Sequence, residues 1–225
     1  MRKVSWIPIA VACAAVLALG GCGDTPKPAA TAPVQTPTSD ADVKLLIGLQ
    51  LRDAGRFQEA LGLFEQILAA DPSNEKAQFN RATSFADLGR TAEAMAEFDR
   101  LAQLHPDDPD IVSNRAVVLM QLDRNEEALA ACDKALAISP GRIPTRMLRA
   151  QVLSRLARYD DALKELDVAK GQQPSAVQID LGRADVMRMR GDGAAAEAIY
   201  AELTARFPNE PRLTAEIDAR RKAAK

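Results

Sequence analysis

Residues able to do acid–base, nucleophilic or metal chemistry are few in this sequence. Its 225 residues include one histidine, His105, and three cysteines, Cys13, Cys22 and Cys132. A zinc or histidine-based metal site needs three or four such ligands, and these residues are too few and too scattered to supply them. His105 has no serine or cysteine nucleophile near it in sequence, and Cys132 falls at a position expected to be buried in the core. We therefore predict no catalytic residue, no metal site and no cofactor.

One glycine motif could suggest dinucleotide binding, the string Gly191-x-Gly193-x-x-Ala196. That fingerprint works only where it follows a strand and opens a helix within a βαβ unit. Here it falls at a turn of a helical repeat, so we interpret the match as accidental. The chain carries 29 Lys and Arg against 31 Asp and Glu, and 4% of its residues are aromatic. A nucleic-acid binder normally has a basic excess or an aromatic stacking surface, so we predict no nucleic-acid partner.

Four arginines recur with a period of 34 residues, and an acidic residue lies 16 residues before each of them. The four combinations are Glu65 with Arg81, Asp99 with Arg115, Asp133 with Arg149, and Asp167 with Arg183. A row of arginines could bind an anionic ligand. The constant offset instead favours ion pairs between the second helix of one repeat and the first helix of the next, because a half-buried pair would fix their register. We predict structural ion pairs.

The elements that position these residues follow the same period. Prolines recur at positions 72, 106, 140, 174 and 208, and alanines at 60, 94, 128, 162 and 196. A period of this length predicts helix–turn–helix units, since proline cannot continue the helix that precedes it. The eighth residue of each unit is small, which allows two helices to lie close together. Five units are predicted, at residues 41–74, 75–108, 109–142, 143–176 and 177–210.

This pattern resembles the tetratricopeptide repeat family over 170 of the 225 residues, through its small eighth and twentieth residues and its late proline. The resemblance implies an all-α solenoid, a right-handed superhelix of helix–turn–helix repeats with a concave groove. The family's bulky fourth residue is not matched. The family's inward-facing positions, carried over to this sequence, give a central groove wall of Phe79, Asn80, Thr83, Asn114, Val117, Met120, Gln121, Gln151 and Arg155. These side chains mix amides with apolar groups, so we favour a peptide- or protein-binding groove over a merely solvated face.

The last stretch, residues 211–225, has only Leu213 and Ile217 as large apolar residues, spaced for one helical face. The other face is charged and ends in Arg220, Arg221 and Lys222. This pattern predicts a helix that caps the last repeat, with cations placed favourably at its C-terminus. Contact of these basic residues with a membrane is the alternative.

The N-terminal stretch has the pattern of a secretory signal, with Arg2 and Lys3 before an apolar run that is too short to span a bilayer. The run ends in Leu-Gly-Gly-Cys22, which resembles the lipobox of bacterial lipoproteins. The resemblance implies removal of residues 1–21 and lipidation of Cys22. Residues 22–40 are rich in Pro and Thr and are predicted to form a disordered tether. Gly23 after the cysteine indicates the outer membrane, facing the periplasm, although Asp24 leaves the inner membrane open.

Together these features predict a lipid-anchored periplasmic scaffold that is not an enzyme and that binds envelope proteins. Lipoproteins of similar architecture act in tight-adherence (Flp) pilus assembly and as pilotins, so the resemblance implies pilus or secretin components as partners. An accessory factor for outer-membrane protein assembly is the alternative. A cell-wall enzyme is less favoured because it needs a set of catalytic residues. A lipid carrier is less favoured because it needs a closed apolar cavity.

Overall fold

The structure is a computed structural model that describes residues 39–222. This range contains eleven α-helices and no strand, which confirms the predicted all-α class. The predicted signal peptide, the lipidation site Cys22 and the tether up to residue 38 lie outside the described residues. No helix within the described range is long and apolar enough to cross a bilayer.

The helices fall into two compact parts, the first ending at Leu88 and the second beginning at Gly89. The first part contains α1 (Asp40–Asp53), α2 (Phe57–Ala70) and α3 (Glu75–Asp87). The second part contains α4 (Thr91–Leu104), α5 (Pro109–Gln121), α6 (Asn125–Ile138), α7 (Ile143–Arg155), α8 (Tyr159–Gln172), α9 (Val177–Arg190), α10 (Gly193–Arg206) and α11 (Pro211–Lys222). Odd-numbered helices up to α9 are the first helices of the predicted repeats, and even-numbered helices are the second helices.

In each repeat, the fifteenth residue lies in the turn between the two helices and has a left-handed backbone conformation. Three of these residues are glycines, for which a positive φ has little steric cost. The other two are Asp123 and Ala157, each with φ of 57°. The turn geometry is therefore retained even where the sequence does not supply glycine.

A second set of periodic ion pairs, outside the predicted set, lies at the start of the second helices. In the first four repeats an arginine precedes the helix and an acid follows three residues later, as in Arg124 with Glu127 at 2.7 Å and Arg158 with Asp161 at 2.8 Å. An acid in the first turn is favourable because the helix N-terminus is electropositive. In the fifth repeat Asp192 replaces the arginine, and its carboxylate accepts a hydrogen bond from the Ala195 N–H.

In the first part, Gly48 lets α1 lie directly against α2. A Cβ atom on this residue would lie 2.5 Å from Cε1 of Phe64, which is fully buried in the core of α2. Such a distance is far below van der Waals contact, so only glycine fits without repacking. The small eighth residue of the repeat is thus a packing requirement at this position.

At the end of the second part, α11 closes the hydrophobic cluster of the fifth repeat. Ile217 is buried against Leu181, Tyr200 and Leu203, and Leu213 is half-buried beside them. The helix therefore removes from water an apolar face that the last repeat would otherwise leave exposed.

The basic residues of α11 are also directed toward the repeats. Arg220 Nε lies 3.1 Å from Asp185 Oδ2, and Arg221 Nη2 lies 2.9 Å from Glu197 Oε2. Burial raises the pKa of Asp185, while the charge and hydrogen bond of Arg220 act in the opposite direction. These contacts favour the capping role of α11 over contact of its basic residues with a membrane.

Candidate functional site

Three of the predicted inter-repeat combinations lie within ion-pair distance in the second part. In each, the arginine Nε approaches the acid Oδ1: Arg115 and Asp99 at 2.6 Å, Arg149 and Asp133 at 2.6 Å, Arg183 and Asp167 at 3.0 Å. The acid lies on a second helix and the arginine on the first helix of the next repeat. The pairing of Glu65 with Arg81 in the first part stays a prediction.

Arg149 belongs to a larger charge network. Its Nη1 lies 2.8 Å from Glu165 Oε1, and Arg146 Nη1 lies 2.9 Å from Glu165 Oε2. Burial disfavours the charged form of Arg149 and would lower its pKa. The hydrogen bond to Asp133 and the negative charges of Asp133 and Glu165 outweigh this effect, so the pKa of Arg149 is raised. Because these guanidinium groups already bind carboxylates, they offer little to an external anion.

Three predicted groove residues, Phe79, Asn80 and Thr83, lie on α3 in the first part. Asn80 Oδ1 accepts a hydrogen bond from Arg52 Nη1 at 3.2 Å, and its Nδ2 donates to the Lys76 carbonyl at 2.8 Å. The Thr83 hydroxyl donates to the Phe79 carbonyl at 2.8 Å. The polar groups of Asn80 and Thr83 are therefore engaged within the protein, and Phe79 is half-buried.

In the second part, two further predicted groove residues make internal contacts. Asn114 Nδ2 donates to the Asp110 carbonyl at 2.9 Å. Arg155 Nη1 donates to the Met120 carbonyl at 2.9 Å and to Asp123 Oδ1 at 3.0 Å, which connects α7 to the end of α5. The Arg155 contacts position neighbouring helices, whereas the Asn114 bond lies within α5. Both residues have less capacity to bind a peptide backbone than the sequence suggested.

The remaining predicted residues, Val117, Met120, Gln121 and Gln151, lie on the adjacent helices α5 and α7. Val117 and Met120 are half-buried and pack on the core cluster of the third repeat, while Gln121 is exposed. We call these four residues, with Met147, the α5–α7 surface. This surface has methionine and valine side chains beside glutamine amides. An apolar side chain of a bound peptide could pack on the methionines and the valine, while the peptide backbone forms hydrogen bonds with the glutamine amides.

The sequence analysis did not name Met147 among the groove residues. It is half-buried on α7, one turn before Gln151. Met189 on α9, 38% exposed, is a second methionine left out. Both occupy repeat positions that the family uses for its inward face, so the repeat register was the signal that could have found them.

Of the residues considered for catalysis, Cys132 lies among core side chains. Cys132 is fully buried beside Ala116, Ala128 and Val152. Burial, with a smaller effect of the Asp133 charge, raises the pKa of the Cys132 thiol to about 12, although Arg149 acts in the opposite direction. A thiol with this pKa does not supply a thiolate at neutral pH. His105 is the half-buried residue that follows α4.

The glycine string lies between two helices. Gly191 has φ of 95° and ends α9, and Gly193 begins α10. Since a helix rather than a strand precedes the string, the context that dinucleotide binding needs is missing at this position. In the described part of the chain, no group of three or more His, Cys, Asp or Glu side chains is arranged to hold a metal ion.

Comparison with known proteins supports the repeat interpretation. Two sequence profiles of the tetratricopeptide repeat match residues 45–109 and 119–179, together more than half of the chain. No curated protein sequence matches the chain.

Solved structures share the fold at low sequence identity. A thermophilic tetratricopeptide repeat protein of Thermus thermophilus is 23% identical, with a TM-score of 0.73 over 80% of this chain and 98% of the other. A tetratricopeptide repeat protein of Parabacteroides merdae is also 23% identical, with a TM-score of 0.66 over 82% and 75%. MamA from Desulfovibrio magneticus is 15% identical, with a TM-score of 0.58 over 76% and 96%. These similarities concern the fold alone.

Proposed function

Because the chain belongs to the tetratricopeptide repeat family, whose repeats serve protein–protein interaction, we propose that it is a non-catalytic scaffold that binds protein partners in cell-envelope assembly. The observation that carries this proposal is the α5–α7 surface, where apolar and amide side chains lie on adjacent first helices. The buried Cys132 thiol and the arginines engaged with carboxylates argue against a catalytic or anion-binding alternative.

The envelope location in this proposal rests on the N-terminal sequence. The lipobox-like Leu-Gly-Gly-Cys22 supports cleavage before Cys22, lipidation of that residue and anchoring to the outer membrane on the periplasmic side. Pilus or secretin components are the proposed partners, by analogy with lipoproteins of the same architecture. Mass spectrometry of the mature N-terminus tests the anchor directly, because a diacylated Cys22 has a defined mass and Cys22→Ala abolishes it.

The binding surface can be tested by site-specific photo-crosslinking in living cells. A photoreactive amino acid replaces Met120 on the α5–α7 surface, and a matched probe replaces Lys134, which is exposed on the second helix α6. We expect adducts from position 120 that are absent from position 134, with a pilus or secretin subunit identified by mass spectrometry. An adduct with an outer-membrane assembly component would support the alternative role in outer-membrane protein insertion.

A companion variant makes the result interpretable. Gln151→Ala on the same surface removes an amide without touching the core, and we expect it to reduce the adduct from position 120 while leaving the circular dichroism spectrum unchanged. Equal labelling from positions 120 and 134 would show that the α5–α7 surface is not the binding site.

A further inference from the structure

The first helix presents an apolar face to solvent. Val43 is 39% exposed, Leu46 48% and Ile47 43%, although all three are branched apolar residues on a regular helix. Val43, Ile47 and Gln50 are spaced for one side of α1, different from the side on which Gly48 meets Phe64.

The same side of the first helix is covered in every later repeat. The residues at the repeat positions of Val43 and Gln50 are each at most 4% exposed in the later repeats. Those equivalent to Val43 are Ala77, Ile111, Thr145 and Ile179. Those equivalent to Gln50 are Ser84, Val118, Val152 and Val186. The second helix of the preceding repeat provides the cover, as where Ile179 and Val186 pack with Leu166 of α8. The exposed side of α1 is therefore a stacking face of the repeat.

The seventh residue of the repeat lies on the same face, and in the first repeat it is apolar. Later repeats place an arginine there, and in the second part these arginines pair with an acid of the preceding repeat. The first repeat has Ile47 instead. A terminal repeat that ended the array would be expected to carry a polar outer face, which Val43, Leu46 and Ile47 do not provide.

The outer side of α11 complements this face in charge. Arg212, Ala215, Ala219 and Lys222 follow one another along one side of the helix, with basic residues at both ends and small residues between them. The corresponding side of α1 begins at Asp40, whose Oδ2 also lies 2.7 Å from Nζ of Lys44, and ends near Asp53, with Val43 and Ile47 in the middle. At ~1.5 Å per residue, the charged ends are about 20 Å apart on α1 and about 15 Å apart on α11, a difference that Arg and Lys side chains can bridge.

We propose that the stacking face of α1 binds α11 of a second copy of this chain, which gives a head-to-tail self-assembly. In this arrangement the acidic ends of α1 meet the basic ends of α11, while Val43 and Ile47 pack on Ala215 and Ala219. A head-to-head pairing of two α1 helices would bring Asp40 and Asp53 against the same acids of the other copy, which is repulsive in either orientation.

The contact of one helix with another is small, below the ~1,200 Å² that specific stable interfaces usually bury. The assembly is therefore expected to be weak in dilute solution and to depend on protein concentration. Confinement to a membrane surface, if Cys22 is lipidated as proposed, would raise the local concentration and favour it.

Cysteine crosslinking of the full chain tests the proposal. Two differently tagged copies are co-expressed, one with Ile47→Cys and the other with Ala215→Cys, purified in detergent and treated with a short bismaleimide. Cys132 is fully buried and contributes little, and the wild-type chain gives the background from its other cysteines. We expect a crosslinked product containing both tags, at least about tenfold above the product from either variant alone.

Charge variants separate this arrangement from others. Arg212→Glu with Lys222→Glu in the Ala215→Cys copy should reduce the mixed product at least about tenfold, and Asp40→Lys with Asp53→Lys in the other copy should restore it. All four positions are exposed, so these changes should leave the circular dichroism spectrum unchanged. Three outcomes would overturn the proposal. They are a crosslink between two Ile47→Cys copies, a crosslink only to another protein, and a mixed product at background level.

Discussion

At the scale of single residues, Arg149 has two carboxylate partners, Asp133 of the preceding repeat and Glu165 of its own repeat, and its side chain is only 23% exposed. We expect Arg149→Met to lower the free energy of unfolding by about 1–2 kcal/mol, since it leaves two carboxylates with fewer partners. Urea denaturation measures this loss. Arg115→Met removes an arginine that is 32% exposed and should cost about half as much. Arg124→Met, at an exposed pair at the surface, should not move the midpoint of unfolding. Equal losses in all three variants would contradict the role of burial.

The Cys132 thiol provides a second prediction at this scale. Because burial raises its pKa to about 12, the folded protein holds the thiol protonated and out of contact with reagents at pH 8. We expect labelling by a disulfide reagent to be slowed at least about a thousandfold relative to the protein in urea, with a rate set by opening of the third repeat. Rapid labelling in native buffer would show that this core opens readily. A variant with both Cys13→Ser and Cys22→Ser removes the background from the other two cysteines of the sequence.

At the scale of elements, the turn at Ala157 stores strain that glycine would relieve. Ala157 has φ of 57° and is exposed, while three of the four equivalent turns have glycine. A left-handed conformation costs an alanine ~1–2 kcal/mol, and part of this is offset because glycine gains freedom in the unfolded chain. We expect Ala157→Gly to raise the free energy of unfolding by about 0.5–1 kcal/mol, measured by denaturant titration. The reverse change at the equivalent turn, Gly55→Ala, should lower it by a similar amount, and a stability loss in Ala157→Gly would contradict the strain argument.

The elements themselves were predictable because their information is local and repeated. The all-α class followed from a period of 34 residues, since prolines and small residues mark helix ends and close contacts in each repeat. The terminal helix followed from the spacing of Leu213 and Ile217 on one helical face. The left-handed turns at Asp123 and Ala157 were not predicted. Alanine does not favour a positive φ, and aspartate adopts one more readily than alanine but less readily than glycine, so only the register of the glycines in the other repeats reveals these turns.

The candidate surface was less predictable, because it depends on which hydrogen bonds form once helices are side by side. Asn80 and Arg155 fall at inward positions of the repeat, yet the first binds Arg52 and the second binds the Met120 carbonyl and Asp123. These partners are 28 to 35 residues away, so no local pattern indicates them. The ion pairs of the second part, whose partners are 16 residues apart, could be anticipated because the same offset recurs from repeat to repeat.

At the scale of the whole molecule, stability in a repeat array is shared between neighbours, so damage at one terminus should remain local. Ile217 closes the fifth repeat's cluster, and Ile217→Ala is expected to remove about 2–4 kcal/mol from that cluster. Hydrogen exchange should then show loss of protection in α9 and α10, while protection in α5 and α6 changes by less than about 0.5 kcal/mol. Thr214→Ala, at an exposed position of α11, is the matched control and should leave both regions unchanged. A uniform loss of protection from α5 to α10 would instead mean that α4–α11 unfold as a single cooperative unit, in which case the cap would stabilise every repeat of the second part and not its neighbour alone.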